Sequence, residues 1–219
     1  MVAMKEINIV LPIKDPAQAK ERLASLLSPD QRRELAAMLI EQTMQFFVAF
    51  LDEVTVLVVT DSEVVARQAA TNGFAVLREE RAEGETAAVE KATAWSVAQG
   101  FRTQIVIPGD MAGLDANDIR RLISMPRPHP SLILCPATGD DGTNAIMSTP
   151  PDVVAFRFGE RSFPDYRARA AAQDVPCQIV RLPSLVLDLD TPEDVVTFLQ
   201  SETASPIKET LRSWMNQQA

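Results

Sequence analysis

The chain has 219 residues, 46% apolar and 23% charged, an ordinary globular composition long enough to bury a core without disulfide staples. Twenty-one Lys and Arg against 30 Asp and Glu give a formal net charge of −9, which excludes general binding to nucleic-acid backbones but not to a small phosphorylated ligand held by local cations. No apolar run approaches the roughly 20 residues of a membrane span, the N-terminus reads as a first strand rather than a signal peptide, and two cysteines in no metal-type spacing make neither a disulfide scaffold nor a zinc site, so a cytoplasmic protein is the expectation.

Residues 7–11 read as a buried strand, and the two prolines of Pro12-Ile13-Lys14-Asp15-Pro16 force a loop after it. Ser28-Pro29-Asp30-Gln31 has the form of a helix start: Ser28 as N-cap, Pro29 at the first helical position, Gln31 completing a capping box. Leu35, Met38, Leu39 and Phe46 carry the helical spacing onward to about Ala49. Residues 54–59 are a β-branched second strand, and Asp61 reads as the cap of a helix ending at Asn72-Gly73. A third strand is predicted over 74–77, a helix over 86–98, a fourth strand over 104–107, and a helix capped by Asp115 through Ile123. Beyond a proline-rich connection, 131–135, 144–148, 153–156, 179–182 and 185–189 read as strands and 162–173 as a helix. Thr191-Pro192-Glu193-Asp194 opens another helix, and a polar helix or tail follows from Ser205. Strand and helix alternate in the first half, which implies right-handed βαβ units. The expected fold is a single α/β domain over residues 1–204, a Rossmann-like, mostly parallel mixed sheet with helices on both faces. Residues 205–219 form a C-terminal helix or tail.

Ligands of an open α/β sheet gather at the carboxyl ends of its strands. Lys14, Lys20 and Arg22 follow the first strand; a triphosphate would want such cations, and a solvated helix face would show them equally well. No Gly-rich P-loop with its Lys-Ser/Thr is present. Pro108-Gly109-Asp110 ends the fourth strand. Gly109 would let the backbone approach a ligand closely, and Asp110 is either a Mg²⁺ ligand or a turn cap. Asp188 and Asp190 alternate with leucines, so on a strand they share one face. Two carboxylates there repel unless a cation such as Mg²⁺, which binds through a few carboxylates plus phosphates, lies between them; the alternative is that one of them helps cap the following helix. A looser set, Gly139, Asp140, Asp141, Gly142 and Thr143 with Gly159 and the helix start after Ser162, would offer backbone N–H groups to a second anion. His129, the only histidine, lies among prolines and reads as surface. Cys135 and Cys177 read as core thiols, and Trp95 with Phe101 as packing.

Taken in order, Pro-x-Lys…Ala-Lys-x-Arg-Leu, Pro-Gly-Asp, Asp-Gly-Thr-Asn-Ala, Phe-Gly-x-x-Ser-Phe and Leu-Asp-Leu-Asp-Thr-Pro-Glu-Asp run from about Ile9 to Leu199. The series resembles the 2-phospho-L-lactate guanylyltransferase family of coenzyme F-420 biosynthesis. The resemblance implies a nucleotidyltransferase fold and transfer of GMP from GTP to the phosphate of 2-phospho-L-lactate, phosphoenolpyruvate or 3-phospho-D-glycerate, with release of pyrophosphate. It implies that Lys14, Lys20 and Arg22 hold the GTP phosphates and act with Asp110 in catalysis. By the same resemblance Asp110, Asp188 and Asp190 bind Mg²⁺, Thr143, Gly159 and Ser162 hold the acceptor's carboxylate, and Gly84 and Glu85 lie near the nucleotide. The family's usual Asp-Leu-Pro-Leu-Leu is Asp110-Met111-Ala112-Gly113-Leu114 here, and its Gly-Leu-Asn-x-Ala is Gly84-Glu85-Thr86-Ala87-Ala88. Pro164-Asp165-Tyr166 stands where Arg-His commonly follows the Ser-Phe pair. The rival readings are a transferase with another acceptor and a paralogue that binds nucleotide without turnover. A homodimer and hand-off of the product to a downstream transferase complete the expectations.

Overall fold

The computed structural model describes residues 6–137, 141–159, 161–186, 188–201 and 205–216. The first strand, β1 (Ile7–Pro12), is buried on both faces: Ile7, Ile9 and Leu11 enter one apolar cluster and Val10 enters another. A strand of this kind must be central and covered by helices on both sides. It pairs in parallel with β2 (Thr55–Thr60) and with β4 (Thr103–Val106), and β2 pairs in parallel with β3 (Ala75–Arg78). Two later strands, β5 (Ser131–Pro136) and β6 (Thr143–Thr149), form an antiparallel pair, and β6 runs antiparallel to β4. β7 (Cys177–Ile179) adds in parallel to β5. The seven-stranded sheet has the order β3-β2-β1-β4-β6-β5-β7, mostly parallel as the strand–helix alternation implies.

The first long helix, α1 (Pro29–Val48), begins with the predicted capping box: Gln31 N donates to Ser28 Oγ at 3.3 Å, and Ser28 N donates to Gln31 Oε1 at 2.9 Å. With α2 (Glu63–Thr71) and α4 (Ala116–Ser124) it covers one face of the sheet, through Met44, Phe47, Val65, Ile119 and Leu122. The other face is covered by α3 (Glu85–Ala98) and α5 (Ser162–Ala172), through Val89, Ala92, Tyr166 and Ala170. On its far side α1 meets α6 (Pro192–Gln200) and α7 (Pro206–Asn216) in a third cluster built on Leu35, Leu39, Val195, Phe198, Ile207 and Leu211. The Phe and Met residues of α1 are packed in these clusters: Met44 and Phe47 are buried, and Phe46 and Met38 are partly so.

Several local expectations are corrected. Ser62, not Asp61, is the N-cap of α2. Residues 153–156 show the burial alternation of a strand, with Val154 and Phe156 buried, but no neighbouring strand pairs with them. Pairing predicted at 179–182 falls instead at β7, where all three residues are exposed on the sheet's edge, so Cys177 is a surface thiol; Cys135 is buried as read. Of residues 185–189, the described ones lie in no strand. Pro183 opens a short 3₁₀ turn ending at Leu185, and Asp188 to Asp190 are irregular. Leu187, and with it Gly139 and Asp140 of the glycine loop, lie outside the described residues.

Gly109 has a packing role. A Cβ there would stand 2.2 Å from Ile13 Cγ1 and 3.3 Å from the Pro12 carbonyl oxygen. The loops after β1 and β4 meet at this point, and Ile13 N is itself tied to Val59 O at 2.9 Å. Gly109→Ala is therefore expected to push the Ile13 loop away and destabilise the fold by about 1–3 kcal/mol, the usual cost of overpacking; urea unfolding of the variant against the parent measures it.

Candidate functional site

The strand order places the reversal of the chain between β1 and β4, and such switch points open a crevice at the carboxyl ends of the strands. A cavity of about 460 Å³ lies there. Lys14, Lys20 and Arg22 reach it from the segment after β1, and Asp110 from the end of β4. Gly84 and Glu85 reach it from the start of α3, and Asp188 and Asp190 from the segment before α6. Because β6 is antiparallel to β4, its first residue, Thr143, falls at the same end, next to Gly159 and Ser162. The structure thus gathers these residues around one cavity, while Asp141 is not among its lining residues. His129 is exposed and not among its lining residues.

Lys20 organises the centre. Its ammonium lies 2.6 Å from Asp110 Oδ2 and 2.8 Å from Asp190 Oδ1, with 1% of the side chain exposed. Burial by itself would make the ammonium easier to deprotonate. The charges of Asp110 and Asp190 and the hydrogen bonds to both outweigh that and hold Lys20 above the ordinary lysine value. Burial likewise opposes ionisation of Asp190, but Lys20, with help from Arg22 and Lys14, keeps its carboxyl below the usual range. Lys20 therefore differs from the solvent-facing cation that the sequence suggests; Lys14 and Arg22 are the exposed pair.

Asp188 has no such partner. Burial first, and then the neighbouring Asp190, raise its pKa to about 6, and no described residue donates a hydrogen bond to its carboxylate. The prediction that Asp188 and Asp190 share a strand face fails, since neither residue lies in a strand, yet the charge of Asp190 still reaches Asp188. Among the described residues no three acidic, histidine or cysteine side chains close into a group that could hold a metal alone, because Lys20 stands between Asp110 and Asp190. The remaining donor set is all oxygen, carries an uncompensated carboxylate and opens onto a cavity. That fits Mg²⁺, which binds through one or two carboxylates and leaves its other positions to phosphate and water.

Glu85 opens α3 behind Gly84, whose φ of 97° is a conformation that favours glycine. No side chain caps this helix, and no described residue accepts from the N–H groups of residues 85–87, so a helix N-terminus faces the cavity with its donors open. Glu85 is half-buried, and burial, then the charge of Asp110, push its pKa up to about 7, with Lys14 partly offsetting them. On the β6 side the N-terminus of α5 is different. Ser162 N donates to Gly159 O at 3.1 Å, Phe163 N donates to Asp141 O at 2.9 Å, and Pro164 has no N–H. The expectation that this helix start presents free backbone donors is therefore corrected. What faces the cavity is a pair of hydroxyls, Ser162 Oγ donating to Thr143 Oγ1 at 3.2 Å.

Two supporting contacts escaped the reading of the sequence. Buried Asn144 donates from Nδ2 to Val186 O at 3.2 Å, tying β6 to the segment that carries Asp188. Phe158 N donates to Thr86 Oγ1 at 3.0 Å, tying the Gly159 loop to the start of α3. Asn144 belongs to the Asp-Gly-Thr-Asn-Ala motif, so its position was visible although its partner was not. Asp61 and Glu79, at the ends of β2 and β3, also line the cavity, and only the parallel strand order reveals that they do.

A carboxyl whose pKa is higher folded than unfolded binds more protons in the folded state, so its contribution to stability falls as pH rises between the two values. Glu85, at about 7 against an ordinary 4.5, should make the protein less stable at pH 8 than at pH 5.5. Glu85→Gln is expected to raise the melting temperature at pH 8 and to flatten the slope between these pH values, as read by thermal unfolding across the range.

The sequence matches the family described as guanylyl transferase CofC like over residues 7–215. It is 41% identical over 204 residues to a 3-phospho-D-glycerate guanylyltransferase of Colwellia psychrerythraea, covering 93% of this chain and 95% of that one. It is 30% identical over 187 residues to a phosphoenolpyruvate guanylyltransferase of Sphaerobacter thermophilus, covering 85% and 89%. In fold it is similar to a chain described as a nucleotide-diphospho-sugar transferase from Desulfovibrio desulfuricans, with a TM-score of 0.78 at 16% identity over 98% of both chains. A family match spanning nearly the whole chain, on a nucleotidyltransferase fold, places this protein in the CofC-like guanylyltransferase family.

Proposed function

We propose that this chain transfers GMP from GTP to the phosphate of 3-phospho-D-glycerate, with release of pyrophosphate and with Mg²⁺ bound, in the biosynthesis of coenzyme F-420. The observation that carries the reading is the single cavity joining a cationic loop, an Asp188–Asp190 pair lacking one counter-charge, and a hydroxyl pocket. The choice of acid follows the Colwellia relative, which shares more of its sequence with this chain than the phosphoenolpyruvate enzyme does.

The acceptor's phosphate oxygen is already an anion, so no general base is needed, consistent with a cavity that the one histidine does not line. The difficulty is repulsion between that oxygen and a triphosphate. Lys14 and Arg22, exposed at the cavity, neutralise the β- and γ-phosphates, and the open N–H groups of α3 add a helix N-terminus to the same task. Lys20 has three ammonium hydrogens and spends two on Asp110 and Asp190, leaving one for a phosphate oxygen. Asp188 and Asp190, with Asp110 beside them, are the residues that would hold Mg²⁺, which supplies charge withdrawal from the phosphates. Thr143 and Ser162 orient the acid's carboxylate, and the fixed geometry of both pockets supplies the entropic share of the rate.

Asp188→Asn removes the charge without changing the side chain's size. It is expected to lower pyrophosphate release by at least about a hundredfold, the scale of removing a charge that stabilises a transition state, while the melting temperature holds or rises as the repulsion with Asp190 is relieved. Parallel assays with 3-phospho-D-glycerate, phosphoenolpyruvate and 2-phospho-L-lactate identify the acceptor. Near-parental turnover by Asp188→Asn would remove the metal role from this residue.

A further inference from the structure

We infer that Asp61 selects guanine. The inference rests on the guanylyltransferase reading and adds the group that reads the base. Across the sheet, the residues at the cavity end come in a fixed order: Glu79 after β3, Asp61 after β2, Lys14 after β1, Asp110 after β4, and Thr143 at the start of β6. Phosphates belong over the cations at β1, and the acceptor over the hydroxyls at β6. The nucleoside then extends the other way, toward β2 and β3. That end is lined by Ala82, which offers apolar surface to a ring, and by Asp61 and Glu79.

The two carboxylates are not equivalent. Glu79 is spent: its side chain is 5% exposed and accepts from Lys91 Nζ at 2.9 Å. Asp61 has a fixed backbone, because its carbonyl accepts from Arg78 Nη2 at 3.2 Å and the neighbouring Thr60 carbonyl accepts from Glu79 N at 3.0 Å. No described residue donates to its carboxylate. A positioned carboxylate with open lone pairs at the base end of a nucleotide cavity is complementary to adjacent N–H donors. Guanine alone among the common bases presents two on one edge, N1–H and the 2-amino group. Adenine presents the bare N1 there, which a carboxylate repels.

The test is kcat/KM for GTP, ITP, 2′-deoxy-GTP and ATP, read by pyrophosphate release with 3-phospho-D-glycerate, phosphoenolpyruvate and 2-phospho-L-lactate as acceptors. ITP is guanosine triphosphate without the 2-amino group. The parent protein is expected to prefer GTP over ITP by about ten- to a hundredfold, the worth of one hydrogen bond to a charged group. In Asp61→Asn the amide NH₂ opposes a guanine donor. The GTP-to-ITP ratio is expected to collapse, with KM for GTP rising and KM for the acid unchanged, and ATP turnover to rise relative to GTP, since an amide N–H can donate to adenine N1. A parent that uses GTP and ITP equally overturns the inference without any variant. An unchanged GTP-to-ITP ratio in Asp61→Asn overturns it too, as does a collapse of the GTP-to-2′-deoxy-GTP ratio alone, which would give Asp61 to the ribose. A parent that releases no pyrophosphate from GTP with any of the three acids overturns the underlying guanylyltransferase reading instead.

Discussion

Three carboxylates brought to one end of a sheet repel one another, and the structure depends on how Lys20 holds two of them. The residue sits in a left-handed conformation, φ 58° and ψ 32°, which costs a side chain about 1–2 kcal/mol. Against that stand two charge-assisted hydrogen bonds, each worth about 1.5–3 kcal/mol, so the strained backbone is retained. One ammonium thereby pins three distant parts of the chain: the loop after β1, the end of β4 and the segment before α6. Asp188 is left outside the arrangement, and burial, with the charge of Asp190 added, raises its pKa.

The mixed sheet makes this centre useful. With parallel strands alone, the cavity would be walled by strand ends and helix starts. By running β6 against β4, the fold brings the beginning of a strand to the same edge, so Thr143 meets Ser162 there. Asn144, next in line and buried, then reaches Val186 and couples the hydroxyl pocket to the acidic segment. The two halves of the cavity are therefore joined by main-chain and side-chain hydrogen bonds rather than by proximity alone.

Much of this is legible in the sequence, and the exceptions share a cause. The capping box at Ser28, the helix start at Thr191 and the apolar run of β1 are local signals, and they form as read. The misread strands at 153–156 and 185–189 have strand-like patterns but lack a neighbour to pair with, and pairing is a property of the whole sheet. Residue type places Cys177 in the core, but it lies exposed on an edge strand. The packing of Gly109 against Ile13 is not legible, because the two are far apart along the chain. The site residues were recoverable because the motifs that carry them fall at strand ends, where topology collects them. The placement of Lys20 between two acids was not, because it depends on a contact spanning 170 positions.

The two ends of the cavity handle anions by different means, and the difference follows from helix starts. At α3, Gly84 leaves the first backbone donors open, an arrangement suited to a group with high charge and many equivalent oxygens. At α5, the corresponding donors are consumed by Gly159 and Asp141, and Pro164 supplies none. Only rotatable hydroxyls remain, and a hydroxyl donates or accepts as its partner requires. A carboxylate, a hydroxyl or both on the same small acid can be met by such a pair, whereas backbone N–H groups would favour any anion. On the proposed reaction, this keeps the more highly charged triphosphate at the α3 and Lys14 side and leaves the α5 side to the smaller acid. The asymmetry that orders the two substrates thus arises from how two helices begin, with the central carboxylates acting between them.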